Sequence, residues 1–126
     1  MPSILLAEDD ETMCKFLSRS LQKAGFHVIA VSNGIEALPH LATGDIDLLL
    51  TDIVMPGMDG IELARRATKM KADLPVMFIT SFAAVAMDRS KERPLNSKIL
   101  QKPFHLKDLV NEVEQIFASK ESNGIN

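Results

Sequence analysis

LLLT, residues 48–51, followed at once by Asp52 and then by IVMPGMDG, residues 53–60, decides the fold. An unbroken apolar run of this length is the pattern of a parallel strand buried on both faces. An acid directly after it has no helix to cap until Asp59 starts the next one. Working outward, the same arrangement recurs. Glu8 and Asp9 follow Ile4 to Ala7, Thr80 follows Val76 to Ile79, and Lys102 follows Lys98 to Gln101, while His27 to Val31 supplies a fifth strand. Segments of helical period separate the runs, which predicts a doubly wound five-stranded parallel sheet with helices on both faces. The most apolar strands, the first, third and fourth, belong at its centre. In such sheets ligands collect outside the carboxyl ends of the strands. Three acids, a hydroxyl and an ammonium are therefore expected at one end of the sheet.

The intervening segments carry helix signals. Met13, Phe16, Leu17, Leu21 and Ala24 form a stripe expected to face the sheet from a helix over about Glu11 to Ala24, with Gly25 as a left-handed stop. Asn33 with Glu36, and Asp59 with Glu62, have capping-box spacing at the second and third helix starts. Pro39 predicts that the second helix is bent or short, and the third should end near Lys71, ahead of Leu74 and Pro75. Leu106, Leu109, Val110, Val113, Ile116 and Phe117 define a face of the last helix. The polar stretch from Ser119 predicts a flexible tail over 119–126. The fourth helical segment is ambiguous, because FAAVAM, residues 82–87, is apolar without a clean period and turns charged from Asp88 to Arg93. Packing on the sheet is its default reading, with partner docking as the alternative.

The chain of 126 residues with 46% hydrophobic content suits one domain. A net charge of −3 with scattered Lys and Arg argues against nucleic-acid binding. There is no run of membrane-span length and no leader pattern after Met1, so a cytoplasmic location is expected. Cys14 is alone, which precludes an internal disulfide, and it reads as a small helix residue rather than a reactive thiol. His27, His40 and His105 read as structural or solvated.

The strand-end residues have a shared chemistry. Two carboxylates at about 4 Å repel by about 4 kcal/mol at an effective dielectric near 20. A hard divalent cation compensates best, and two or three carboxylates with a backbone carbonyl suit Mg²⁺. Glu8, Asp9 and Asp52 are the metal candidates, with the carbonyl of Val54 or a neighbour. The competing reading, that the acids from Glu8 to Glu11 only cap the first helix, leaves Asp52 unexplained. Asp52 is also a candidate nucleophile that would form an aspartyl phosphate. Lys102 would add a point positive charge and Thr80 a hydroxyl donor to a phosphoryl oxygen. Singly, Lys102 reads as a surface ion pair and Thr80 as a strand end; their joint occurrence favours the phosphoryl reading.

ILLAEDD, LLLTDIVMPGMDGIEL, FITSF and LQKPF, in this order, resemble the signatures of the receiver domain of bacterial two-component response regulators. The resemblance covers Ser3 to Ala118. It implies a flavodoxin-like fold of strand order 2-1-3-4-5, a receiver over 1–118, and Asp52 as phosphoacceptor. It further implies that Glu8 and Asp9, with Asp52 and the carbonyl of Val54, hold Mg²⁺, that Thr80 and Lys102 contact the phosphoryl group, and that the Lys102–Pro103 peptide is cis. The donor would be a phosphohistidine on a histidine kinase or histidine phosphotransfer protein. DIVMPGMDGIELARR and FITSFAAVA are similar to single-domain members that control substrate access to a Clp-type AAA+ protease in the cell cycle of alphaproteobacteria. That implies an output through protein contacts.

One position departs from the family pattern. Receivers often carry Tyr or Phe three residues before the lysine, where this chain has Ile99, so the readout is expected at Phe82 and the 82–87 segment instead. Two further roles compete with a switch. A phosphorelay intermediate or sink would use the same residues. A phosphatase of the haloacid-dehalogenase type would need an acid two positions after Asp52, where Val54 stands, so turnover catalysis is not expected. Flavin binding is disfavoured because EDDET after the first strand repels phosphate and lacks a glycine-rich cradle.

Overall fold

The apolar runs become strands with few shifts. In the computed structural model, described for residues 2–81, 88–94 and 97–125, β1 (Ser3–Ala7), β2 (His27–Val31), β3 (Leu48–Asp52), β4 (Val76–Thr80) and β5 (Lys98–Gln101) form one sheet. Its order is β2-β1-β3-β4-β5 and every pairing is parallel. The most apolar strands, β1, β3 and β4, are central, and β3 and β4 are buried at every residue. Both run one residue beyond their apolar stretches. Asp52 pairs with Ile79 and Thr80 with Gln101, so both polar residues stand on the last rungs of the ladder.

Side chains alternate across a strand, and the two faces of the sheet carry separate apolar layers. Leu5, Leu49 and Phe78 pack with Ala37, Ile61, Ala64 and Ala67 from α2 (Gly34–Thr43) and α3 (Gly60–Met70). Ile4, Leu6 and Leu50 pack with Leu17, Leu21, Leu109 and Val113 from α1 (Glu11–Lys23) and the C-terminal helix α4 (Leu106–Ile125). Full burial of one such Leu or Ile stabilises by about 2 kcal/mol. A 3₁₀ turn at Ser90–Glu92 lies between β4 and β5. The apolar segment 82–87, including the readout expected at Phe82, lies outside the described residues.

Helix starts follow their caps. Asp10 accepts from the Met13 amide at 3.0 Å, Asn33 from Glu36 at 2.9 Å and Asp59 from Glu62 at 2.8 Å. The expected reciprocal bonds differ in detail. Glu36 accepts from the side chains of Asn33 and Ser32, while Glu62 turns to Arg65 and Arg66. Gly25, at φ 100°, ends α1 as expected. Pro39 lies inside α2, which is ten residues long. One expectation is corrected: Phe16 and Ala24 leave the buried stripe of α1, and Phe16 is 54% exposed. Leu17 and Leu21, one turn apart, set the rotation of the helix, and Met13 and Cys14 rather than Phe16 border the core. Among the described residues no helix is long and apolar enough to cross a membrane.

Candidate functional site

The acids after β1 divide by role. Asp10 takes the N-cap of α1, which leaves Glu8 and Asp9 without that duty. Glu8 prolongs the sheet by donating its amide to the Val31 carbonyl at 3.1 Å, and its side chain turns inward, 1% exposed. Its Oε1 accepts from the Asp10 amide at 3.2 Å, while Oε2 is buried with no hydrogen-bond partner. Asp9 is exposed, whereas Asp52 is 8% exposed. One oxygen from each of Glu8, Asp9 and Asp52 lies within 4.8 Å of the others.

Asp52 is held from both sides. Its Oδ1 accepts from the Ile53 amide at 2.7 Å, and Oδ2 faces the Lys102 ammonium at 3.4 Å. The same ammonium stands 3.5 Å from Glu8 Oε2. These distances exceed the 2.7–2.9 Å typical of charge-assisted bonds, so one cation is shared between two buried carboxylates. Burial first, then repulsion from Asp52, raises the Glu8 carboxyl from 4.5 to about 7, against the opposing pull of Lys102. Thr80 is fully buried at the end of β4, and its carbonyl accepts the Lys102 amide at 2.8 Å. The Lys102–Pro103 peptide is cis.

Of the residues singled out in sequence, Glu8, Asp9, Asp52 and Lys102 thus come together, and Thr80 joins them through the backbone of Lys102. Val54 lies in the loop after β3 with a half-exposed side chain. Ile99 packs on the α2–α3 layer, beside Phe78 in register. Burial pushes the Cys14 thiol up, which suits an inert role.

Three features escaped sequence reasoning. The Thr51 hydroxyl donates to the Asp52 carbonyl at 2.8 Å. Gly60 donates its amide to the Ile53 carbonyl at 2.8 Å, and a Cβ placed on it would sit 1.9 Å from the Asp52 carbonyl oxygen. The third is a groove of about 570 Å³ beside Lys102, lined by Met13, Phe16, Pro103, Phe104 and Leu106. It accounts for the exposure of Phe16, whose helical spacing gave no sign of it.

A doubly wound sheet with acids and a lysine gathered at the carboxyl ends of its strands is the arrangement of a phosphoryl-signalling receiver. The chain belongs to that family, since residues 4–114 match the response regulator receiver domain, and its setting is two-component signalling. Among individual proteins it is similar to the response regulator receiver protein CpdR of Brucella abortus (strain 2308), 57% identical over 116 residues, covering 92% of this chain and 97% of that one. Among solved structures, the receiver domain of the hybrid histidine kinase CckA superposes with TM-score 0.77 at 32% identity, covering 90% of this chain and 96% of that one. The response regulator TrrA of Thermotoga maritima, solved in complex with Mg²⁺-BeF, superposes with TM-score 0.82 at 29% identity, covering 91% and 98%.

Proposed function

We propose that Asp52 accepts a phosphoryl group from a phosphohistidine on a histidine kinase or phosphotransfer protein, and that the resulting aspartyl phosphate switches protein contacts. The observation that carries this reading is one ammonium, Lys102, held between the buried carboxylates of Glu8 and Asp52. Asp52 Oδ1 is engaged by a backbone amide, which leaves Oδ2, on the lysine side, to form the bond to phosphorus. Lys102 offsets the charge that builds on the phosphoryl oxygens, and the Thr80 hydroxyl supplies a donor to one of them.

The donor set suits Mg²⁺. All three side-chain donors are hard carboxylate oxygens, and a buried Glu8 oxygen without a hydrogen-bond partner is the type of group a cation satisfies. Glu8, Asp9, Asp52 and the carbonyl of Val54 would hold the ion, which would neutralise the transferring phosphoryl group. With Val54 offering no acid or base two positions after Asp52, the protein acts as a phosphoacceptor rather than a turnover enzyme.

For output, the similarity to CpdR over nearly its whole length supports control of a Clp-type AAA+ protease in cell-cycle proteolysis. The receiver would occupy residues 1–118 in the cytoplasm, followed by 119–126, of which 119–125 prolong α4. Incubation with acetyl phosphate, with and without Mg²⁺, followed by intact mass tests the central step. The expected result is one labile, Mg²⁺-dependent phosphoryl adduct on the wild type and none on Asp52→Asn. Equal labelling of the variant overturns the assignment. Pull-downs with the two phosphorylation states would then have to differ in the recovered protease.

A further inference from the structure

Two distant parts of the chain meet in one ion pair. Arg89, which precedes the 3₁₀ turn Ser90–Glu92, donates from Nη1 to Asp59 Oδ2 at 2.6 Å and from Nε and Nη2 to Glu92 at 2.7 and 3.3 Å. Its carbonyl also accepts the Glu92 amide at 2.9 Å, so the turn holds this arginine by backbone and side chain together. The side chains of Arg89 and Asp59 are 28% and 35% exposed. Lys15 and Glu11, by contrast, stand 3.7 Å apart at 68% and 86% exposure, and pairs of that second kind contribute almost nothing.

From Asp59 a run of backbone hydrogen bonds leads to Asp52. Asp59 Oδ1 accepts the Glu62 amide and its carbonyl accepts the Leu63 amide, which fastens it to the first turn of α3 while Oδ2 receives Arg89. Gly60, the next residue, is pressed against the Asp52 peptide and donates its amide to the Ile53 carbonyl. Ile53 in turn donates its own amide to Asp52 Oδ1 at 2.7 Å. The backbone of Ile53 thus grips the carboxylate with its N–H and the start of α3 with its C=O. With Oδ1 engaged in that bond, Oδ2 is the oxygen that stands toward Lys102. A tilt of the Ile53 peptide would turn the carboxylate with it.

We propose that Arg89 is a positioning residue for the phosphoacceptor: by gripping the Asp59 cap it fixes the start of α3, and through Gly60 and Ile53 it holds the Asp52 carboxylate with Oδ2 directed toward Lys102. This inference rests on Asp52 being the phosphoacceptor. A nucleophile already held in its reacting orientation has less freedom to lose on the way to the transition state, so Arg89 acts on the rate of phosphoryl acceptance without touching the reacting atoms. An arginine suits the task because its planar fork engages Asp59 and Glu92 at once, which the point charge of a lysine does not do. Glu92 aims the guanidinium, and Asp59 receives it.

Two substitutions separate this role from the helix cap. Asp59→Asn keeps an N-cap of equal quality but removes the charge that Arg89 grips, and Arg89→Gln removes the other partner. Labelling by acetyl phosphate at a fixed concentration with saturating Mg²⁺, followed by intact mass, should proceed about threefold more slowly in either folded variant than in wild type. The double variant should match the larger single effect, because both substitutions remove one shared interaction. A pair that only stabilises the fold would lower the urea midpoint and leave the labelling rate of the folded protein at its wild-type value. That result, or additive losses in the double variant, overturns the proposal. A wild type that takes no label on Asp52 sinks the phosphoacceptor reading itself. Amide exchange at Ile53 then judges the positioning alone: about threefold faster exchange in each variant upholds it, and unchanged exchange overturns it.

Discussion

Gly60→Ala should destabilise the fold by about 3 kcal/mol in urea or thermal unfolding. The added Cβ would lie 1.9 Å from the Asp52 carbonyl oxygen, 2.9 Å from its carbon and 3.1 Å from Ile53 Cα. All three are backbone atoms at the end of a strand buried at every residue, so no side chain can rotate away. Relief requires moving the start of α3 or the last rung of β3, and either breaks the Gly60 to Ile53 bond. The folded fraction should also accept phosphate more slowly, since the Asp52 peptide is what gives way. Gly34→Ala is the matched control. Its Cβ would meet Met58 Cβ and carbonyl oxygen at 3.2 Å, a contact that a few tenths of an ångström relieve, and alanine is the better helix former. If both variants unfold within 0.5 kcal/mol of wild type, roughly the scatter of surface substitutions, the close approach at Gly60 does not constrain the loop.

The second large effect concerns Glu8, whose carboxyl rises from 4.5 to about 7 through burial and the nearby charge of Asp52. The unfolded chain releases this proton near its ordinary value, while the folded protein keeps it until about pH 7. The folded state therefore holds more protons across that window, and the Glu8 contribution to stability falls as pH rises through it. Glu8→Gln should remove this slope in Mg²⁺-free protein and leave the variant more stable than wild type at pH 8. Mg²⁺ affinity has the opposite trend. A cation needs the ionised carboxylate, so wild-type affinity should climb about tenfold per pH unit below 7 and level off above it. Glu8→Gln should weaken Mg²⁺ binding at least about tenfold and flatten the profile. Stability curves of equal slope in the two proteins, measured without Mg²⁺ between pH 5 and 8, would discard the buried-carboxylate argument.

Much of the fold is legible in the chain because the central strands are apolar on both faces. Leu48 to Leu50 and Val76 to Ile79 admit few other environments, and the polar residues that end them mark the carboxyl edge of the sheet. The caps Asn33 and Asp59 are equally local signals. Phe16 is misjudged because helical spacing alone cannot fix the rotation of α1, which is set by Leu17 and Leu21 against the sheet. Glu8, Asp9, Asp52 and Lys102 are legible as a group because strand ends share an edge. The approach of Gly60 to Asp52 depends on loop closure at atomic distances, and Arg89 meets Asp59 across 30 residues, so neither leaves a local trace. The charged run from Asp88 to Arg93 is visible in sequence, but not its partner.

The parallel sheet has a bearing on translation. Each strand pairing needs a crossover, so the residues of the site are scattered from Glu8 to Lys102, and Lys102 follows the last strand to be synthesised. A nascent chain emerging from the ribosome carries Glu8, Asp9 and Asp52 long before β5 can pair with β4. Until then the ammonium that Lys102 brings between Glu8 and Asp52 is missing. On the proposed phosphoacceptor role, stalled or C-terminally clipped products that end before β5 should fail to take up a phosphoryl group.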